Sequence, residues 1–394
     1  MAVGIQLPGS DEMLRLQQQV AQLQALLEAS RRVHSAIREE ELLEQVLQIV
    51  VRELEMTGAA FPSAGISYGE VKTPDGGGSD SESNVRSIRY PLDDHDGHRM
   101  EELIVWPPDG RELSLFEDDF IQRLALQAAI ALENLRNHTR NINFALLRQD
   151  LEAARLIQRQ RLPKKLPVVP GYSLAYRSVP CYQVGGDYID VVKLPDGSLM
   201  MALADVAGKG LASALISTSF RSGFRSLAFT GLPLDEIARR INQYQRMDGE
   251  EAQRRYATAI FLRLFPEAGE IELVNAGHNP GFLIQPGEAP YLFRASGVPL
   301  GLFPEVTCVS ERRELKPGAR LLLYTDGLTE VFKGEQEFGP KRLLNAFSNC
   351  ASCDADDILD VLWKAIEEFS EGSPQRDDMT ALALCRDRSS EMQG

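Results

Sequence analysis

Apolar positions recur at helical spacing through residues 11–37. Leu16, Val20, Leu23 and Leu27, continued by Ser30, His34 and Ile37, step by four and three. Glu, Gln and Arg fill the other faces, which is a coiled-coil seam that weakens along its length. Residues 39–55 predict a second amphipathic helix, EEELLEQVLQIVVREL, closed by Gly58. From Ala59 to Pro108 the pattern shortens. Strand-like runs at Gly65–Tyr68, Val85–Pro91 and Glu102–Trp106 are divided by turns, and Pro74–Ser83, rich in Gly, Ser and Asp, reads as a loop. From Phe116 to Leu162 no Pro or Gly interrupts the chain. Ile121, Ala125, Ala128, Leu132, Leu135, Thr139, Ile142, Leu146, Gln149, Ala153, Leu156 and Gln160 keep a strict four-three alternation. That predicts one coiled-coil helix, about 60–70 Å long at 1.5 Å per residue, stopped by Pro163, Pro167 and Pro170.

Beyond residue 171 the pattern is shorter again. Strands are predicted at Tyr172–Ser178, Tyr188–Leu194, Ser198–Ala204, Tyr256–Phe265, Glu270–Asn275, Gly281–Gln285, Val306–Arg313, Arg320–Thr325 and Met379–Cys385. Helices are predicted at Leu211–Thr230, Pro233–Met247, Lys341–Phe347 and Ala355–Phe369. Many antiparallel strands with a few helices give an α+β sandwich. The chain thus divides into an N-terminal coiled-coil helix (1–38), a small α/β domain (39–118), a coiled-coil linker helix (119–165) and a C-terminal domain (166–388). The helix–short sheet–helix order of the small domain resembles, in layout only, a truncated GAF sensor domain.

Composition narrows the function. The 394 residues carry a formal charge of −15. A phosphate-backbone binder needs a basic face, so no nucleic-acid partner is expected. No apolar run is long enough to cross a bilayer. The start, MAVGIQLPGSDEM, lacks a basic segment followed by an apolar core, so no signal peptide and a cytoplasmic location are expected. Five cysteines make no disulfide framework. Cys350 and Cys353 form one C-x-x-C without a second pair, and His95 and His98 one H-x-x-H without further ligands; both read as ordinary side chains rather than metal sites.

The chemistry gathers at strand ends. In VGGDYIDVVKLPDGSLMMALADVAGKG, the turn Pro195-Asp196-Gly197 joins two strands. Residues equidistant from Asp196 pair across this hairpin, which sets Asp187 opposite Asp205. Like charges so placed destabilise a sheet unless a cation lies between them. Glycines flank both carboxylates and let backbone approach a ligand closely. In RLLLYTDGLTE a strand delivers Asp326, and in SPQRDDMTALALC Asp377 and Asp378 precede the last strand. Carboxylates without His or Cys suit Mg²⁺ or Mn²⁺. Converging on two cations, they suit hydrolysis of a phosphoester. Gly208-Lys209 lacks the frame of a phosphate-binding P-loop.

GGDYID, DVAGKG, AGHNP, YTDGLTE and RDDMT follow one another in this order. With these motifs the chain, over residues 155–385, resembles the metal-dependent (PPM-type) serine/threonine phosphatases of the bacterial SpoIIE/RsbU-like branch. The resemblance implies an α-β-β-α sandwich with two Mn²⁺ or Mg²⁺ ions between the sheets. It implies that Asp187 contacts both metals, and that Asp205 binds the second beside the Val206 carbonyl. Asp326 and Asp377 would hold the first; Asp378 matches the second acid of the family's DD-x-T. His278 of AGHNP is expected to be structural. The implied substrate is phosphoserine or phosphothreonine on a small STAS-type regulatory protein. The implied control runs from the sensor through a dimeric helix, so a homodimer is expected. The alternative is a catalytically silent member that binds a partner through the same fold.

Overall fold

A computed structural model describes residues 10–71, 87–109, 111–247, 255–350 and 354–388. The chain divides into two compact units, Met1–Leu147 and Arg148–Gly394. In the first, helices α1 (Ser10–Ser35) and α2 (Glu39–Gln48) come before a sheet, and α2 ends in one π-helical turn, Ile49–Glu53. The sheet comprises β1 (Gly58–Phe61), β2 (Ile66–Gly69), β3 (Ile88–Asp93) and β4 (Arg99–Trp106), antiparallel in the order β2-β1-β4-β3. Strand β1 was not anticipated. Its sequence, GAAF, is buried at every position and so lacks the alternation that marks a half-exposed strand. The predicted loop Pro74–Ser83 lies outside the described residues, as does Cys353.

Helix α3 (Leu115–Arg161) is unbroken, as its pattern predicts. Its seam, however, splits into two parts. Ile121, Ala125, Ala128 and Leu132 are buried in the core of their own unit, with Leu42, Leu47, Phe61 and Leu103. They do not face a second chain. An apolar stripe specifies that it must be covered, not by what, and here α2 and the sheet cover it first. Only the later seam is open: Ile142, Leu146 and Leu156 are 46%, 56% and 60% exposed. The 119–165 segment is thus part domain core and part free helix. In α1, Ala29 and Val33 pack inward while the seam residues Val20, Leu23 and Leu27 are exposed. His95 and His98 sit in an exposed turn beside Glu133 and Asp94.

The second unit is an α-β-β-α sandwich. One sheet holds β5 (Tyr172–Val179), β10 (Gly281–Ile284), β11 (Tyr291–Phe293), β13 (Arg320–Tyr324) and β16 (Met379–Arg386), ordered β11-β10-β13-β16-β5. The other holds β6 (Tyr188–Lys193), β7 (Leu199–Val206), β8 (Ala257–Phe265), β9 (Glu270–Ala276) and β12 (Glu311–Glu314), ordered β12-β9-β8-β7-β6. Side chains alternate along each strand. Leu199, Met201 and Leu203 of β7 enter the space between the sheets with Leu321, Leu323, Leu382 and Leu384. Met200, Ala202 and Ala204 lie under α4 (Leu211–Ala228) and α5 (Leu234–Met247). The outer face of the first sheet is covered by α6 (Gly339–Asn349) and α7 (Ala355–Ser370). The predicted run Val306–Arg313 forms a ladder only over Glu311–Glu314; Val306 and Cys308 are instead anchors buried under the helices. Strand β11 and the hairpin of β14 (Phe332–Lys333) and β15 (Gln336–Glu337) were too short to show a period.

Candidate metal centre between two sheets

The alternation that builds the sandwich also aims its carboxylates. In β6 and β7 the odd-numbered residues Ile189, Val191, Met201 and Leu203 face inward, so Asp187 and Asp205 share that parity. In β13 and β16 Leu321, Leu323, Leu382 and Leu384 face inward, which gives Thr325, Asp378 and Thr380 the same side. The hairpin register is the predicted one: Tyr188 pairs with Ala204 and Lys193 with Leu199. Asp187 is the next residue outward, and Asp205 also pairs with Thr258 of β8.

Hydrogen bonds tie the two sheet ends together. Thr325 Oγ1 donates to Asp187 Oδ2 at 2.8 Å and accepts from Thr380 N at 3.0 Å. Asp378, buried, accepts from Cys181 N and from Gly186 N, each at 2.7 Å, one on each oxygen. Asp377 Oδ1 accepts from Asp378 N at 2.9 Å, and its Oδ2 lies 2.9 Å from Lys209 Nζ. Asp326 opens a short 3-10 turn after β13. A Cβ on Gly327 would stand 2.0 Å from the Asp378 carbonyl oxygen, so only glycine lets these two acidic segments meet. Buried His278 is a brace: its Nδ1 lies 2.7 Å from Thr258 Oγ1 and its backbone N–H donates to Asn275 Oδ1. Burial pushes its pKa down to about 4, so the ring is neutral.

The electrostatics are those of crowded acids. Burial, then Asp205 and Asp378, raise the Asp187 pKa well above the ordinary carboxylate range. Burial, then Asp326 and Asp377, push Asp205 up to about 7; burial, then Glu330 and Asp377, push Asp326 up to about 6. Asp378 is raised too, chiefly by burial. A folded-state pKa above the unfolded value means that the native state holds the extra proton, so stability falls as pH rises through that window. Chelator-treated protein should therefore lose several degrees of Tm, roughly 3–8 °C, between pH 4 and pH 7.5. Saturating Mn²⁺ should flatten the slope, because a cation replaces the protons. A chelated protein whose Tm rises over that range would contradict the crowding.

The Stage II sporulation protein E (SpoIIE) family matches residues 195–387. The C-terminal unit is a PP2C-type phosphatase domain of the SpoIIE family. Protein IcfG of Synechocystis is 27% identical over 265 residues, covering 61% of this chain and 42% of that protein. Phosphoserine phosphatase RsbU of Bacillus subtilis is 27% identical over 185 residues, covering 47% of this chain and 54% of RsbU. The chain spans about half the length of the curated relatives it matches. In fold, the SiaA-PP2C domain of Pseudomonas aeruginosa superposes with a TM-score of 0.54 at 20% identity, covering 62% of this chain and 99% of that one.

Within this SpoIIE-type domain the residues fit divalent cations. Among the described residues no three ligands are already drawn into a closed cluster; Asp377 is held by Lys209 instead. The donor set is nevertheless all oxygen, and burial with neighbouring acids raises the pKa values of Asp205 and Asp326. A Cβ on Gly186 would fall 2.8 Å from the Val206 carbonyl oxygen, a close approach that sets this carbonyl against the residue before Asp187. Two features were not legible beforehand. Asp190 has the opposite parity to Asp187 and is fully buried beneath α4, where Arg225 grips it through two bonds of 2.6 and 2.9 Å and Tyr188 donates a third. Gln158, near the end of α3, binds the backbone of Gly185. Nothing in its heptad position distinguished it.

Proposed function

We propose that this chain is a metal-dependent protein-serine/threonine phosphatase acting on phosphoserine or phosphothreonine of a regulatory protein, of the STAS anti-anti-sigma type. The observation that carries the reading is the shared inward parity of Asp187 and Asp205 on one sheet and Asp378 on the other, with Asp326 and Asp377 alongside. Asp187, Asp205, Asp326, Asp377 and Asp378, with the Val206 carbonyl, would hold two Mn²⁺ or Mg²⁺ ions. Such ions lower the pKa of a water and neutralise charge on phosphoryl oxygens. Thr325 fixes the Asp187 carboxylate through its 2.8 Å bond, so the acid meets its ligand in one orientation. A cleft of about 460 Å³ adjoins Asp326 and is lined by Asn279, Pro280, Phe282, Arg294 and Lys341. Exposed Arg294 and Lys341 supply positive charge where a phosphorylated side chain approaches. Purified protein should cleave a chromogenic phosphoester with Mn²⁺; a member that only binds its partner would release nothing above buffer.

The first unit, GAF-like in layout, would act as sensor, and the free half of the α3 seam would make the homodimer. Ile142→Asp with Leu146→Asp places charge on that exposed stripe and should turn a dimer into a folded monomer in light scattering. Leu132→Asp should behave differently: it puts a charge into the first unit's core and should unfold that unit. A wild type of monomer mass would rule out the seam's role. A cytoplasmic location belongs to the same proposal; among the described residues no helix is long and apolar enough to cross a membrane.

A further inference from the structure

Lys209 stands in DVAGKG between two glycines with positive φ, Gly208 at 98° and Gly210 at 81°. Two such residues let the chain turn sharply between the end of β7 and the start of α4. At this turn Lys209 Nζ lies 2.9 Å from Asp377 Oδ2 and also donates to the Arg376 carbonyl. The other oxygen of Asp377 accepts from Asp378 N at 2.9 Å. One oxygen of this carboxylate therefore goes to the backbone, and the other to a cation supplied by the chain itself.

The Lys209 charge reaches further into the centre. Burial, Glu330 and Asp377 raise the Asp326 pKa, while the Lys209 ammonium pulls it the other way. The neighbouring arginines are turned to other uses: Arg225 grips Asp190 beneath α4, and Arg376 lies over the Phe332 ring. Lys209 is also free to leave. Its side chain is 45% exposed and that of Asp377 is 29% exposed, and an ion pair so open to water holds weakly. The long stem can carry the ammonium out into solvent without leaving a buried charge behind.

We infer that Lys209 competes with a divalent cation for Asp377: ammonium and metal claim the same carboxylate oxygen, so a cation loads there only as Lys209 lets go. The inference rests on the metal-centre reading and deepens it by naming a restraint on cation affinity that the chain carries itself. A cation approaching Asp377 Oδ2 meets a like charge already within hydrogen-bond distance of that oxygen. Coulomb repulsion and the lost ion pair both count against its binding.

The test titrates Mn²⁺ into the full chain, reading free Mn²⁺ from its electron spin resonance signal and folding from thermal melting. Lys209→Met keeps the stem without the charge and should bind Mn²⁺ about fivefold tighter or more. Lys209→Arg keeps the charge and should bind no tighter than wild type. In an Asp377→Asn background the contested oxygen has lost its charge, so Lys209→Met should there gain less than about twofold. If Lys209→Met melts far below wild type, Lys209→Gln takes its place and is judged in the same way. A folded, charge-free variant that binds Mn²⁺ no tighter than wild type would overturn the inference. So would an equal gain in Lys209→Arg, or an undiminished gain in the Asp377→Asn background. A wild type that binds no Mn²⁺ would instead overturn the metal reading itself.

Discussion

Asp187→Asn is expected to lower Mn²⁺-dependent phosphate release about a thousandfold, or roughly 4 kcal/mol of transition-state stabilisation. Asp326→Asn should do the same from the other sheet. Asparagine matches aspartate in shape, and its carbonyl oxygen can still accept the Thr325 hydroxyl that now binds Asp187 at 2.8 Å. What it cannot supply is negative charge. Burial, and after it the neighbouring acids, already raise the pKa values of Asp187, Asp205 and Asp326. Removing one should leave the chelated protein as stable as before, or more so, while it loses activity. That pairing of a lower rate with an undiminished Tm distinguishes a metal ligand from a packing residue. Either variant keeping a rate within threefold of wild type would remove that residue from the centre.

One residue inserted after Gln149 is expected to reduce activity at least tenfold, whereas seven should restore it to within about threefold. The helix is unbroken from Leu115 to Arg161, so an insertion must rotate everything downstream of it. One residue turns the helix after the insertion by about 100° relative to the seam before it; seven bring it back to within about 20° of its first phase. Seven also preserve the heptad, so Ile142 and Leu156 stay on one exposed stripe. Equal activity in both insertions would make the helix a spacer.

Much of the catalytic unit was legible because its signals are local. The turn Pro195-Asp196-Gly197 fixed the β6–β7 register, and parity then put Asp187 and Asp205 on one face. The helices over residues 211–228 and 355–370 announced themselves by period, and Asp354 caps the second with bonds from Asp356 N and Asp357 N. What escaped was the identity of partners. The stripe Ile121 to Leu132 was plain, but no pattern says whether an apolar face meets its own sheet or another chain. Asp190 differs from Asp187 only by parity, yet it is gripped by Arg225, 35 residues on. Gln158 was one polar residue among many on a long helix, and its use is set by Gly185, which lies 27 residues away.

The central claim is that acids from two sheets hold divalent cations that cleave a phosphoserine ester. Its most direct test is phosphate release from a phosphoserine-bearing STAS protein by the purified chain, measured with Mn²⁺ and again after chelation. The account predicts release with Mn²⁺, near-complete loss on chelation and recovery when Mn²⁺ is restored. Undiminished release in the chelator, or none with Mn²⁺ present, would contradict it.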